Sequence, residues 1–332
     1  MLTEDGSVWA TGLNLYGQLG DGSTTTRRTF TKVISRDAQA VAAGLYHSLV
    51  LTRDGSIWAT GFNSYGQLGD GSDVDKSSFV QVFIRRGKAM SAGNDHSIVL
   101  SLDGTVWATG QNDKGQLGFA SKESTNVFVQ VARGGQAVAA GAWHSLVLKR
   151  DGSLWATGFN KYSQLGNTRS SIRPTFVRVI ARDVYSVAAG SLHTLVLRQN
   201  ATVSGAGSNS VGQLGYGDTD DSPSFWLVAE SDVVALAAGT WHSLILKRDG
   251  SVWSTGSNDY GQLGDGFLTG RREFEQVVSG EVEAVAAGFG HSMVLKQDGS
   301  VWATGWNYFG QLGDGSNTDS HTFARVGQGE EG

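Results

Sequence analysis

The chain has 332 residues, 39% hydrophobic and 17% charged, enough to bury a core as one large domain or as two to three ordinary ones. Its net charge of −5 supplies no basic field for nucleic acid or an anionic membrane, and the lack of cysteine excludes disulfides, thiolate metal sites and a cysteine nucleophile. No run of 18 or more apolar residues reads as a membrane helix, MLTEDGSVW is not a signal peptide, and 47 glycines against 2 prolines point to many tight turns.

Taken in chain order, the elements recur. The stretch DGSVWATGLNLYGQLGDGS begins at Asp5, returns as DGSIWATGFNSYGQLGDGS at Asp54 and again as DGSVWATGWNYFGQLGDGS at Asp298. The ATG glycine falls at Gly12, Gly61, Gly110, Gly158, Gly207, Gly256 and Gly305, at spacings of 49, 49, 48, 49, 49 and 49. A second element, AAGxxHS, places His47, His96, His144, His193, His242 and His291 on the same period. The repeat units run approximately over 5–53, 54–102, 103–150, 151–199, 200–248, 249–297 and 298–332, the last one partial.

Within a unit the elements read as strands. AVAAG (40–44) is short and small, and HSLVLTR (47–53) is apolar and rich in β-branched residues. The Asp-Gly pair of RDGS is a hairpin signal, SIWATG (56–61) follows, and after a Gly/Asn/Ser loop comes SFVQVFI (78–84). No window sustains a helical apolar period. Four short antiparallel strands repeating at this length predict an all-β fold, a β-propeller of seven blades of four-stranded antiparallel sheets, as a single propeller over 1–332. The small AVAAG strand is expected innermost. The Trp of the third strand is expected to wedge between blades at Trp9, Trp58, Trp107, Trp155, Trp253 and Trp302. The fifth unit has Ser204 instead, so its blade is expected to be the loosest.

The count is uneven. Seven Trp-type halves meet only six His halves, so one blade is expected to lack its two inner strands. Either the ring closes imperfectly or the chain is a piece of a longer one, and the second is the expectation.

The combination AAGxxHSLVLxxDGxVWATGxNxxGQLGxG resembles the regulator of chromosome condensation repeat, and the match runs through every unit. The resemblance implies a seven-bladed propeller, a closure in which strands from the two chain ends share a blade, and an interaction surface in place of a catalytic cleft. It implies no single function, because similar propellers serve as an exchange factor for the GTPase Ran, a plant UV-B photoreceptor, a β-lactamase inhibitor and parts of ubiquitin ligases.

The chemical readings fail one by one. Adjacent His and Ser on a strand point to opposite faces, and six copies suit no hydrolase, so a structural His bonded to neighbouring backbone is expected at all six positions. Those six histidines sit in different blades, too dispersed for one ion, so no metal is expected. The acidic loops at Asp70, Asp73 and Asp75 and at Asp218, Asp220 and Asp221 lack the EF-hand pattern and read as solvated carboxylates. ATGxNxxGQLG opens no helix and so cradles no phosphate. The photoreceptor's Trp-Arg pair before His is absent from every unit. No enzyme and no cofactor are expected.

Strand parity places the xx pair before each His and the xNxx set after each ATG at one end of the blades. These positions vary between copies and are rich in aromatics: Tyr16, Tyr46, Phe62, Tyr65, Trp143, Phe159, Tyr162, Trp241, Tyr260, Phe289, Trp306, Tyr308 and Phe309. Such a face suits a protein partner. Phe62 and Phe159 are also placed to pack on their own loops. The opposite end carries Arg36, Arg53, Arg150, Arg182, Lys247 and Arg248 beside aspartates and reads as solvated surface. The expected function is a non-catalytic protein-protein scaffold. The alternative is a guanine-nucleotide exchange factor for a small Ran-type GTPase. Neither nucleic acid nor membrane is an expected partner, and a cytoplasmic or nuclear location is. The single sequon, Asn200-Ala201-Thr202, bears only on a secreted protein.

Overall fold

The alternation of β-branched runs with Asp-Gly turns folds as a series of antiparallel meanders. The computed structural model describes residues 1–83, 86–168 and 170–327, and these contain 26 strands and no helix. Ile84, the expected end of the SFVQVFI strand, lies outside the described residues.

The chain divides into two units. The first comprises Met1–Phe159 with Ile172–Arg182. It opens with a two-stranded sheet of β1 (Val8–Gly12) and β2 (Arg27–Ile34). A four-stranded sheet follows: β3 (Ala38–Ala43), β4 (His47–Thr52), β5 (Ile57–Gly61) and β6 (Lys76–Phe83). The next holds β7 (Gly87–Ala92), β8 (His96–Ser101), β9 (Val106–Gly110) and β10 (Thr125–Ala132). The last of this unit holds β11 (Gly135–Ala140), β12 (His144–Lys149), β13 (Leu154–Phe159) and β14 (Ile172–Ile180).

The second unit, Asn160–Ser171 with Asp183–Gly332, carries three four-stranded sheets. They are β15 (Val184–Ala189), β16 (His193–Arg198), β17 (Val203–Gly207) and β18 (Ser222–Ala229); then β19 (Val233–Ala238), β20 (His242–Lys247), β21 (Val252–Gly256) and β22 (Arg271–Val278); then β23 (Val282–Ala287), β24 (His291–Lys296), β25 (Val301–Gly305) and β26 (Ser320–Val326). In every sheet the strands pair in sequence order, so each is a plain meander. This is the all-β architecture of propeller blades. The β1–β2 sheet has only the Trp strand and the outer strand, and on it Ala10 and Thr11 are half-buried where Ala59 and Thr60 of β5 are fully buried.

The core lies between successive sheets. In the first unit Trp107 packs on a cluster of Leu51, Ile57, Phe83 and Val99, with its ring 5.9 Å from that of Phe83. In the second, Trp253 and Phe274 cover Leu195, Leu197 and Val203, and Trp302 and Phe323 cover Leu244, Leu246 and Val252. The tryptophans do wedge between sheets, but only half-buried. At Trp107, Trp155, Trp253 and Trp302 one edge of the indole reaches a turn hydroxyl, as in Trp155 Nε1 to Ser153 Oγ at 3.0 Å, and lysine Nζ atoms cover Trp155 and Trp253 at 3.8 and 4.0 Å from the ring centre. In the fifth sequence unit Ser204 leaves no ring to cover. Val203–Gly207 is nevertheless paired on both sides and buried throughout.

Candidate functional site

Within each four-stranded sheet the turn between the first two strands and the loop after the third lie at the same end, because the strands alternate in direction. What holds that end is a set of buried polar residues. Asn63 is fully buried. Its Oδ1 accepts from Leu68 N at 2.9 Å, and its Nδ2 donates to Asp70 Oδ1 at 3.1 Å and Ser72 O at 2.9 Å. Gln67 Oε1 takes the Tyr65 N–H at 3.1 Å. Asp75 Oδ1 accepts the Asn63 N–H at 2.7 Å, and Asp70 holds Ser72 and, at 3.2 Å, Lys76. Asp70 and Asp75 are therefore loop braces, not the solvated carboxylates expected of them. The second unit repeats this, with Asn209 bonded to Leu214 N and to Asp218 O, and with Asp221 accepting from Asn209 N at 2.8 Å. Asparagine stands at this position in all seven loops (Asn14, Asn63, Asn112, Asn160, Asn209, Asn258 and Asn307), and that constancy among varying neighbours is the signal that could have marked it as a brace.

The motif histidines bond differently from expectation. His47 Nε2 lies 2.9 Å from the hydroxyl of Ser97, the serine of the next repeat, whose own proton goes to Gln67 O at 2.7 Å. The same pair of contacts joins His96 to Ser145 and Gln116 at 2.8 and 2.7 Å, His193 to Ser243 and Gln213 at 2.9 and 2.7 Å, and His242 to Ser292 and Gln262 at 2.9 and 2.7 Å. Neighbouring backbone is not the partner. Since the one hydroxyl proton is committed to the glutamine carbonyl, the serine must accept from the ring, so the proton sits on Nε2. The other face of the His47 ring lies against Gly44, where an added Cβ would fall 2.4 Å from Cε1. Burial pushes the ring pKa down to about 4 at His47, His193 and His291, and to about 3 at His96 and His242, where neighbouring histidines add to the burial effect. A neutral imidazole tied through Nε2, with Nδ1 buried and without a hydrogen-bond partner at His47, His96, His193, His242 and His291, is a strut, and no three acidic or histidine side chains converge to hold an ion among the described residues.

On this scaffold the variable aromatics gather in clusters. In the first unit Tyr16 stacks on Tyr46 and Phe62 at ring distances of 5.2 and 4.9 Å, and Phe62 meets Tyr65 at 6.1 Å. Trp143 meets Phe159 edge-on at 5.8 Å. In the second unit Trp306 is the hub, 5.5 Å from Tyr260, 5.6 Å from Phe289 and 5.4 Å from Phe309, and Tyr308 leans on Phe309 at 4.9 Å. Tyr65, Tyr260, Phe289 and Tyr308 are the exposed members; Tyr16, Tyr46, Trp143, Tyr162, Trp241, Trp306 and Phe309 are half-buried. Tyr162 has Lys161 over its ring at 5.9 Å. Phe62 and Phe159 are half-buried beneath other rings, as their place beside the strand suggested. Near the first cluster, Asp95 has its pKa raised by burial and then by Asp113. At the other end of the sheets Arg36 pairs with Asp37 at 3.5 Å and Arg53 reaches Glu4 O at 3.3 Å.

Sheets of this order and length define a β-propeller built of repeats. The regulator of chromosome condensation (RCC1) repeat matches by one description at 5–51, 54–100, 103–148, 151–197 and 249–295, and by a second at 38–67, 88–116, 136–164, 184–213, 233–262 and 282–311. The chain belongs to the RCC1 repeat family. Its fold is similar to that of human WBSCR16, at 21% identity over 96% of this chain and 93% of that one, with a TM-score of 0.87. It is similar as well to the yeast RCC1 protein Prp20 bound to Kap60, at 22% identity over 97% and 84% of the two chains and a TM-score of 0.87. A structure of Saccharomyces cerevisiae Prp20p, described with its binding properties to Gsp1p and histones, aligns over 99% and 87% at 22% identity and a TM-score of 0.88. No curated protein sequence matches the chain.

Proposed function

We propose that this protein is a non-catalytic binding platform whose loop ends grip another protein through their aromatic residues. The carrying observation is the division of labour in the loops: the asparagine and glutamine are constant in all seven and almost all buried, while in five of them aromatic residues beside these vary from copy to copy and are half-buried or exposed. Rigid aromatic anchors lose little entropy on binding and supply hot spots. The β1–β2 sheet is taken as a seventh, incomplete blade, and no reaction is assigned to the chain.

The test is affinity capture with the intact chain, followed by binding measurements on the purified partner. Replacing Phe289 and Tyr308 together by Ala, or Tyr65 by Ala, is expected to weaken binding by about thirty-fold, the size of a hot-spot loss of about 2 kcal/mol. Undiminished binding by both variants overturns the site. A second reading, guanine-nucleotide exchange on a small Ran-type GTPase, draws on the family and on Prp20p, which is described with its binding to Gsp1p. The even 48- or 49-residue spacing leaves no repeat with an added wedge for that purpose. Release of labelled nucleotide from such a GTPase is expected to stay at its basal rate; acceleration would establish the second reading.

A further inference from the structure

The outer strand β18 departs from its counterparts. In six sheets the residue opposite the third-strand tryptophan is polar: Trp9 faces Lys32, Trp58 faces Gln81, Trp107 faces Gln130, Trp155 faces Arg178, Trp253 faces Gln276 and Trp302 faces Arg325. Here Ser204 faces Leu227, and the tryptophan has moved outward to Trp226, opposite Gly205. Trp226 is 64% exposed and Leu227 51%. Two adjacent large apolar residues are thus turned to solvent on an edge strand, a place where proteins ordinarily set charges.

The edge is also less covered than others. The loop of the preceding sheet bonds to the start of β6, β10, β22 and β26, as in Gly22 N to Ser77 O at 2.9 Å and Gly217 N to Arg272 O at 2.8 Å. Among the described residues no such bond reaches β18. Pro223 lacks an N–H and Ser222 Oγ bonds Ser224 O at 2.7 Å, so the usable edge is Phe225–Ala229.

Its charge is one-sided. Residues 199–246 contain Asp218, Asp220, Asp221, Glu230 and Asp232 and not one lysine or arginine, so the stretch alone carries −5, the value of the entire chain. The acids stand at both ends of β18. Cations reach it from two neighbours. Arg198 of β16 is turned to Ser204 at 3.5 Å and to Asp183, and Arg272 of β22 meets the 216–217 loop through its backbone.

We propose that β18 docks an extended basic segment of another protein, added as a strand along Phe225–Ala229 with an arginine or lysine over the Trp226 ring and further cations beside the flanking acids. Backbone pairing supplies the register, the exposed indole supplies a cation–π seat, and the acidic ends exclude anionic partners. This site is separate from the aromatic loop ends and does not depend on their role.

The probe is a labelled nine-residue peptide of alternating Arg and Val, titrated by fluorescence anisotropy against the intact chain, with a Glu/Val peptide as control. Binding of the basic peptide is expected to be at least about tenfold tighter than that of the acidic one and to weaken as salt rises. Trp226→Ala, and separately Asp220→Asn with Glu230→Gln, are each expected to lower affinity about tenfold with thermal melts unchanged, whereas Tyr65→Ala leaves it unaltered. Equal binding by Trp226→Ala, or equal binding of the acidic peptide, overturns the proposal. So does a Trp226-dependent dimer in sedimentation, which would make a second copy the occupant.

Discussion

At Ser97 one hydroxyl proton decides the state of a ring on the neighbouring repeat. The proton goes to Gln67 O, so His47 must donate from Nε2, and both contacts are buried. Ser97→Ala leaves a buried N–H and a buried carbonyl unpaired, an expected loss of about 2–4 kcal/mol. Ser48 offers the matched control. Its hydroxyl donates to Gln18 O at 2.7 Å, in a less buried place, with no motif histidine bonded to it among the described residues. Ser48→Ala is expected to remove only about 1 kcal/mol. Urea denaturation of the two variants checks the difference, and equal losses would remove the special status of the His–Ser contact. The sequence shows the His and Ser as recurring letters. It does not show that His47, His96, His193 and His242 bond a Ser 49 or 50 residues on, because that depends on how one sheet is set against the next.

The strand-turn-strand element was legible in outline, since Asp-Gly turns, β-branched runs and the tryptophan position all reappear as pairings in the sheets. Gly61 shows why the motif tolerates no change: at φ 107° an added Cβ would lie 2.4 Å from Tyr46 O. Gly61→Ala is expected to destabilise by several kcal/mol, as overpacking adds to backbone strain, and the denaturation midpoint reports it. The loop was legible by its variable letters but not by its constant one. Asn63 reads as an ordinary turn residue until its three side-chain contacts are seen. Asn63→Ala is expected to lose about 2–4 kcal/mol and to speed amide exchange across Tyr65–Leu68, since it strands Leu68 N and frees Asp70. Unchanged exchange would mean the loop holds without its amide. The aromatic positions followed from strand parity. Their grouping around Trp306 did not, because side-chain packing between adjacent loops leaves no mark in one repeat's spacing.

At the scale of the molecule the histidines act together. The rings of His47, His96, His193, His242 and His291 are neutral in the folded state, with pKa values near 3 or 4, while an unfolded histidine titrates near 6.5. Between those values the unfolded chain binds more protons, so stability is complete above about pH 6.5 and falls as pH drops toward the folded values. One pKa unit corresponds to roughly 1.4 kcal/mol, so several rings losing two or more units each make the fold strongly acid-labile. Cooperative unfolding is expected between about pH 6 and 4, followed by circular dichroism and tryptophan emission; a flat profile down to pH 4 would contradict the buried neutral rings. Three further groups resist such early titration: Asp5 is held down to about 2 by the Thr3 hydroxyl and by Ser7, and Asp54 and Asp298 are lowered by the hydroxyls and N–H groups of their own turns.

The His–Ser contacts have one more consequence, a mechanical one. At His47, His96, His193 and His242 they run in a single direction, each of these rings holding the serine of the repeat that follows it. A chain drawn out from one end must therefore break these fastenings in succession, not all at once. Each repeat released adds 49 residues of slack, roughly 160–175 Å when fully extended. Pulled on a force probe, this protein is expected to yield a saw-tooth trace whose teeth keep that interval, and Ser97→Ala is expected to lower one tooth and leave the spacing of the rest.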